Sequence, residues 1–230
     1  MSRGHIVICG HGPGIGHAVA HRFGEGGFTI SLIGRNASRL EAAASELESL
    51  GVRARAIAAD LGEPTAVEGA MARATAVNGS ITTLHWNAVY PGAGSLLDAS
   101  NDELEAVARL GLLGPLAAVR SALADLRGAE AGAVLVTGGG LAGDGGDPLA
   151  IQHGMSGVAI AKAMHRKLTR LLALSLEGTN VYAGELAVLG MVRSDSNPHG
   201  TVDPKAVAQA LFEMQRDRAG IHHQVTGDAA

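Results

Sequence analysis

Apolar positions along the chain switch repeatedly between the short continuous runs of buried strands and the three- and four-residue spacing of helices. His5–Cys9 predicts a strand that stops at glycines, Ile15–Phe23 a helix, and Phe28–Ile33 a second strand. Ser38–Leu50 places Leu40, Ala43, Leu47 and Leu50 on one helical face, and Ser38 with Glu41 has the spacing of a capping box. Val52–Ala58 predicts strand, Pro64 opens a helix reaching about Val77, and Ile81–Trp86 predicts strand again. Ser100 and Glu103 repeat the capping-box spacing and open a helix to about Leu126. Gly111, Gly114 and Pro115 inside that helix predict a kink or a close contact. Ala133–Thr137 predicts strand, followed by a glycine-rich loop and a long helix from about Gln152 to Leu176. Val181–Leu189 predicts strand, Asp203 and Pro204 the cap and first turn of a last helix, and Ile221–Val225 an edge strand.

Repeated β-α units need crossover connections. The pattern therefore predicts an α/β fold: a Rossmann-type, doubly wound, mostly parallel sheet in three α/β/α layers. No linker or repeat interrupts it, so residues 1–230 read as one domain.

Composition refines this picture. Apolar residues make up 47% of the chain but aromatics only 3%, so the core must be built from Ala, Val, Leu and Ile. The net charge of -4 and the lack of a basic run argue against nucleic acid or an anionic membrane as partner. No apolar stretch is expected to reach the roughly 18 residues of a membrane span. Arg3 alone precedes the first strand, which is unlike a leader peptide. Cys9 is the one cysteine, so no internal disulfide forms; together these features favour the cytoplasm.

The strongest chemical signal is Cys9-Gly10-His11-Gly12-Pro13-Gly14-Ile15-Gly16, between the first strand and the first helix. Gly10, Gly14 and Gly16 have G-x-x-x-G-x-G spacing, which does not fit the G-x-G-x-x-G fingerprint. The physics is shared: glycines let backbone N–H groups approach a pyrophosphate, and the helix N-terminus adds a favourable dipole. At the end of the second strand stands Gly34-Arg35-Asn36, with Arg35 lying 19 residues beyond Gly16. NAD sites put an acid near this position for the ribose 2′-hydroxyl. A guanidinium suits a 2′-phosphate instead, with Arg39 in reach to help. The reading favours NADP(H) over NAD(H).

With these residues the sequence resembles the classical short-chain dehydrogenase/reductase family over almost its whole length. Gly10–Gly16 resembles that family's T-G-x-x-x-G-I-G loop, with Cys9 in place of threonine. Arg35-Asn36-Ala37-Ser38-Arg39-Leu40 resembles its NADP-type strand-two ending. Asp60-Leu61 resembles its D-[LV] pair, whose acid contacts the adenine amino group. Trp86-Asn87-Ala88-Val89 keeps the two middle positions of N-N-A-G, and the resemblance places Asn87 and Ala88 near the adenine ribose. Leu189-Gly190-Met191-Val192-Arg193-Ser194 resembles the nicotinamide-side loop P-G-x-[VI]-x-T, implying roles for Gly190, Val192 and Ser194. Lys162-Ala163 and Leu168–Ala173 resemble the segment around the family's catalytic lysine, which holds the nicotinamide ribose.

The departures bear on mechanism. Four residues before Lys162, where the family's Y-x-x-x-K motif has tyrosine, the chain has Val158. The family's serine falls at Gly145, Thr137-Gly138-Gly139-Gly140 replaces the serine pair at the strand end, and the helix asparagine falls at Gly111. Valine donates no proton, and loss of a general acid costs on the order of 10²–10⁴ in rate. Candidate replacements are His153, preferred because imidazole titrates near neutral pH, then Ser156 and His165. A solvent-exposed His153, a capping Ser156 and a packing His165 are the plainer alternatives. Tyr90 is a weaker donor candidate, and Tyr182 reads as structural. His222 and His223 are adjacent rather than at helical spacing, so no metal site is expected.

The expected function is an NADP(H)-dependent oxidoreductase acting on a small carbonyl or alcohol through an altered proton relay. The alternatives are a catalytically degenerate dinucleotide-binding regulator or scaffold, and a silent subunit of a mixed oligomer. The resemblance implies a homo-oligomer, dimer or tetramer, paired through the two long helices. The segment from Ser194 to Asp203, expected to cover the substrate, is short and polar.

Overall fold

The computed structural model describes residues 3–194 and 197–227. Seven strands form one parallel sheet: β1 (Gly4–Cys9), β2 (Phe28–Gly34), β3 (Ala54–Ala58), β4 (Thr83–Trp86), β5 (Gly132–Thr137), β6 (Val181–Leu189) and β7 (His222–Thr226), in the order β3-β2-β1-β4-β5-β6-β7. The helices are α1 (Ile15–Glu25), α2 (Ala37–Ser49), α3 (Pro64–Asn78), α4 (Asn101–Ala108), α5 (Gly114–Gly128), α6 (Asp147–Gln152), α7 (Ser156–Ser175) and α8 (Pro204–Asp217).

Strand alternation divides the core into two layers. Ile6 and Ile8 of β1 face α1, α2 and α8, whereas Val7 and Cys9 face α3 and α5. The chain's three phenylalanines all lie in the first layer: Phe23 packs edge-to-face on Phe28 and on Phe212, with centroids 5.2 Å apart in each pair. The second layer holds the single tryptophan, Trp86, whose Nε1 donates to the Ala88 carbonyl at 3.1 Å. In register, Cys9 pairs with Ile33 on one side and Trp86 on the other, and Trp86 pairs with Val136. The strand order reverses between β1 and β4, and the crevice at the carboxyl ends of these strands is where such sheets place ligands.

Several element boundaries differ from the sequence reading. Asn36, not Ser38, caps α2: its Oδ1 accepts from the Arg39 amide at 3.0 Å and from Ser38 Oγ at 2.9 Å. Leu50 lies past the helix end and is 64% exposed, off the buried face. The Ser100–Glu103 capping box is present. The helix it opens is interrupted by a π-helical turn at Arg109–Leu113, at the predicted glycines. Gly111 there faces Met164 and Ala161, and a Cβ on Gly114 would stand 2.8 Å from the Trp86 ring. The helix expected from about Gln152 is α7 and begins only at Ser156; a short helix, α6, forms within the expected glycine-rich loop, and in the turn between them Gly154 has φ +61°.

Contrary to the expectation that no run is long enough, Asn101–Gly128 is long and apolar enough to cross a membrane, with an 18-residue window of mean hydropathy 1.3. Its inner face packs on α3, β4 and β5, as a core helix does.

Candidate cofactor and active site

The phosphate-loop glycines are required for different reasons. Gly10 has φ +97°, and a Cβ there would stand 2.5 Å from the Ala88 nitrogen. A Cβ on Gly16 would lie 2.9 Å from His11 Cα. Both serve the turn itself. Gly14 is different: the nearest atom to its Cβ position is Val192 Cγ1 at 3.9 Å, and Gly12 has nothing within 4 Å. Packing does not explain a glycine at 14, and the open space leaves room for a ligand against the backbone. Gly14 is also the N-cap of α1, and no side chain caps that helix. Its first amides therefore remain for an anion. Pro13 is exposed on the loop, and Ile15 begins the helix.

Arg35 and Arg39 stand exposed beyond the tip of β2, and among the described residues no carboxylate pairs with either. Asn36 Oδ1 is occupied by the α2 cap, which leaves its amide nitrogen for a ligand. Asp60 is exposed and folds into an Asx turn, accepting from the Gly62 amide at 2.9 Å. The Leu61 side chain is buried in the core, so only its backbone can meet a ligand. Asn87 Nδ2 donates to the Gly10 carbonyl at 3.0 Å, bracing the phosphate loop against the end of β4 beside half-buried Ala88. Gly190, at φ +140°, turns the chain after β6 so that Val192 reaches Gly14. Val192 bridges to Val202 and Ser194 to Asn197; residues 195 and 196 of the expected covering segment lie outside the described residues. Open glycines and an uncapped helix fit the diphosphate of a dinucleotide.

Next to this crevice the ends of β4, β5 and β6 and the first turns of α7 enclose a buried polar cluster. Lys162 is 8% exposed, and its Nζ donates to the Thr137 carbonyl at 2.7 Å. Burial pushes its amine down to about 8, partly offset by the negative charge of Glu185. Glu185 is fully buried in β6; Oε2 accepts from His222 Nδ1 at 2.8 Å, and Oε1 has no hydrogen-bond partner. His85, also fully buried, bonds Thr137 Oγ1 through Nε2 at 2.8 Å. His165 bonds the Leu110 carbonyl through Nε2 at 3.1 Å. Burial first, and then the charge of Lys162, push both imidazoles down to about 3, so they stay neutral near pH 7. His165 is thus a packing residue, as its plainer reading had it.

The strand end beside Lys162 carries Gly138 and Gly139, with Gly139 against the lysine stem. Glu185 takes the space a side chain on Gly138 would need. Gly145 lies away in an exposed 3-10 turn. Val158 sits one turn before Lys162 and is half-buried. His153 is exposed in the turn between α6 and α7. Ser156 is the first residue of α7; the N-cap is Met155, so Ser156 does not cap the helix. The loop after β4 docks on this turn: the Gly157 amide donates to the Ala93 carbonyl at 2.8 Å and the Ser156 amide to that of Gly94 at 3.4 Å. Tyr90 packs with Val89, Ala93 and Ala161.

Comparison with known proteins agrees with this geometry. The family model described as short chain dehydrogenase matches residues 4–200. The chain belongs to this oxidoreductase family. It is 28% identical to "2-(S)-hydroxypropyl-CoM dehydrogenase 3" of Xanthobacter autotrophicus over 97% of this chain and 92% of that protein. It is 31% identical to "(5R,7aS)-5-hydroxy-7a-methyl-1-oxo-2,3,5,6,7,7a-hexahydro-1H-indene-carboxyl-CoA reductase" of Mycobacterium tuberculosis, over 93% of this chain and 78% of that one. Among solved structures, a short chain dehydrogenase from Burkholderia cenocepacia in complex with NADP superposes with a TM-score of 0.85 at 27% identity, covering 97% of this chain and 96% of that chain.

Proposed function

We propose that the chain is an NADP(H)-dependent oxidoreductase that interconverts a small carbonyl compound and its alcohol, with a proton relay that does not use a tyrosine before the lysine. The observation that carries this reading is the pairing of an open backbone at Gly14 with unpaired Arg35 and Arg39 at the tip of β2. The bound cofactor supplies or accepts the hydride.

The chain's own residues do the rest. The α1 amides, Pro13 and Ile15 hold the diphosphate, Arg35 and Asn36 the 2′-phosphate, and Asp60 with the Leu61 backbone the adenine. Asn87, Ala88 and Lys162 line the ribose side, and Gly190, Val192 and Ser194 the nicotinamide side. Lys162, with an amine held at about 8, both donates a hydrogen bond and exchanges a proton near neutral pH. His153 and Ser156, on the turn that docks the β4 loop, are the proposed proton donor and hydroxyl for the substrate oxygen. The relatives' printed names, a dehydrogenase and a reductase of carrier-linked substrates, are consistent with alcohol–carbonyl chemistry. Exposed Leu112, Leu113, Leu171 and Leu174 on the two long helical segments favour a homo-oligomer, and the absence of a disulfide suits the cytoplasm.

Titration of the pure protein with NADPH and NADH, followed by a carbonyl panel with NADPH, tests the proposal. Tighter NADPH binding, weakened about 10–100-fold by Arg35→Ala with NADH unaffected, is expected for loss of charge-assisted bonds. Measured NADPH binding without oxidation by any substrate would leave a binding protein instead.

A further inference from the structure

We infer that His17, His21 and Glu46 form a site for a borderline divalent metal ion of the zinc class, joining α1 to α2. The site is separate from the cofactor reading above and does not depend on it. His17 and His21 are four residues apart, so α1 presents both rings on one face. Glu46 reaches the same point from α2: its Oε1 lies 3.6 Å from His17 Nε2 and 3.1 Å from His21 Nε2. Donor atoms around tetrahedral zinc with bonds of about 2.0–2.2 Å stand about 3.3–3.5 Å apart, and these two distances bracket that value. All three ligand atoms lie within 4.8 Å of one another.

Hydrogen bonding does not explain the cluster. His21 Nε2 is buried and bonds nothing, although the carboxylate oxygen is 3.1 Å away. The ring centroids of His17 and His21 are 4.5 Å apart, so the two imidazoles stand side by side. Two imidazoles and a carboxylate are the donor set that suits zinc, and water completes the tetrahedron. Both histidines also line a cavity of about 680 Å³ between α1 and α8, together with Pro13 and Gly14. An ion here would pin the helix that begins at the phosphate loop to the helix that begins at Arg35–Arg39.

The test uses untagged full-length protein stripped with chelator, titrated with zinc chloride by calorimetry and with cobalt(II) by visible absorption. One zinc per chain, a tetrahedral cobalt spectrum, and affinity reduced at least about tenfold in both His21→Ala and Glu46→Gln are expected. Circular dichroism checks that each variant is folded; zinc should raise Tm in the parent and not in His17→Ala/His21→Ala. No saturable binding by the parent, or equal binding by the parent and the folded double variant, overturns the assignment.

Discussion

Gly138→Ala is a small change with a large expected cost, because Glu185 occupies the space. A Cβ at 138 would overlap Glu185 Oε1 and stand 2.6 Å from its Cδ and 2.8 Å from its Cγ. Glu185 is fully buried and tied to His222, so it cannot swing into solvent. Overpacking of this kind costs about 1–3 kcal/mol. Breaking the charged Glu185–His222 bond adds about 1.5–3 kcal/mol. The single substitution should therefore destabilise by about 2.5–6 kcal/mol, a large share of the roughly 5–15 kcal/mol a domain has. In a Glu185→Ala background the three clashing atoms are gone, and the same change should cost under about 1 kcal/mol. Urea denaturation of the parent, both single variants and the double variant closes the cycle. Additivity within about 0.5 kcal/mol would refute the reasoning, since it would mean that the two positions do not contend for one space.

Lys162 gives a pH dependence with a definite sign. Its amine falls from 10.5 to about 8 on folding, so the unfolded chain binds more protons between those values and stability should rise as pH climbs from 8 to 10.5. The rise should approach about 3 kcal/mol and vanish in Lys162→Met, as read by urea midpoints across that range. His165, neutral in the fold and pushed down to about 3, acts at the acid end. Its contribution is complete above 6.5 and lost as pH falls toward 3, so His165→Gln should shift the acid unfolding midpoint downward in a circular dichroism titration. Gly157→Ala would bring a Cβ within 2.5 Å of the Gly92 carbonyl, and calorimetry should show a loss of about 1–3 kcal/mol as the β4 loop is levered off α7. Leu113→Glu combined with Leu171→Glu should convert an oligomer to monomers in light scattering, and an unchanged mass would exclude these faces as the contact.

Most of the sheet could be read along the chain because central parallel strands are near-continuous apolar runs, as in Ile6–Cys9 and, apart from Glu185, Val181–Leu189. The phosphate loop was legible because positive φ at Gly10 and the Gly16–His11 contact permit no other residue. Boundaries set by local competition were not. Asn36 and Ser38 both suit a cap, and the first won because its carboxamide oxygen reaches the Arg39 amide. The start of α7 was read early, at Gln152, because Gly154 in a left-handed conformation, with φ +61°, turns the chain just before the helix. The polar cluster around Lys162 joins residues from separate strands. Lys162 and His165 were legible along the chain, but Glu185, an acid within the strand β6, identifies no partner by its position. His17 and His21 have metal-ligand spacing, but Glu46 lies on the next helix and only packing brings it near.

The position of the single tryptophan has a practical consequence. Its indole is locked in the interior, yet its N–H holds the carbonyl of Ala88, next to the asparagine that braces the phosphate loop. The protein thus carries a native fluorophore wired to the mouth of its crevice. Global unfolding should red-shift its emission, and energy transfer to a bound reduced nicotinamide would report ligation without any label.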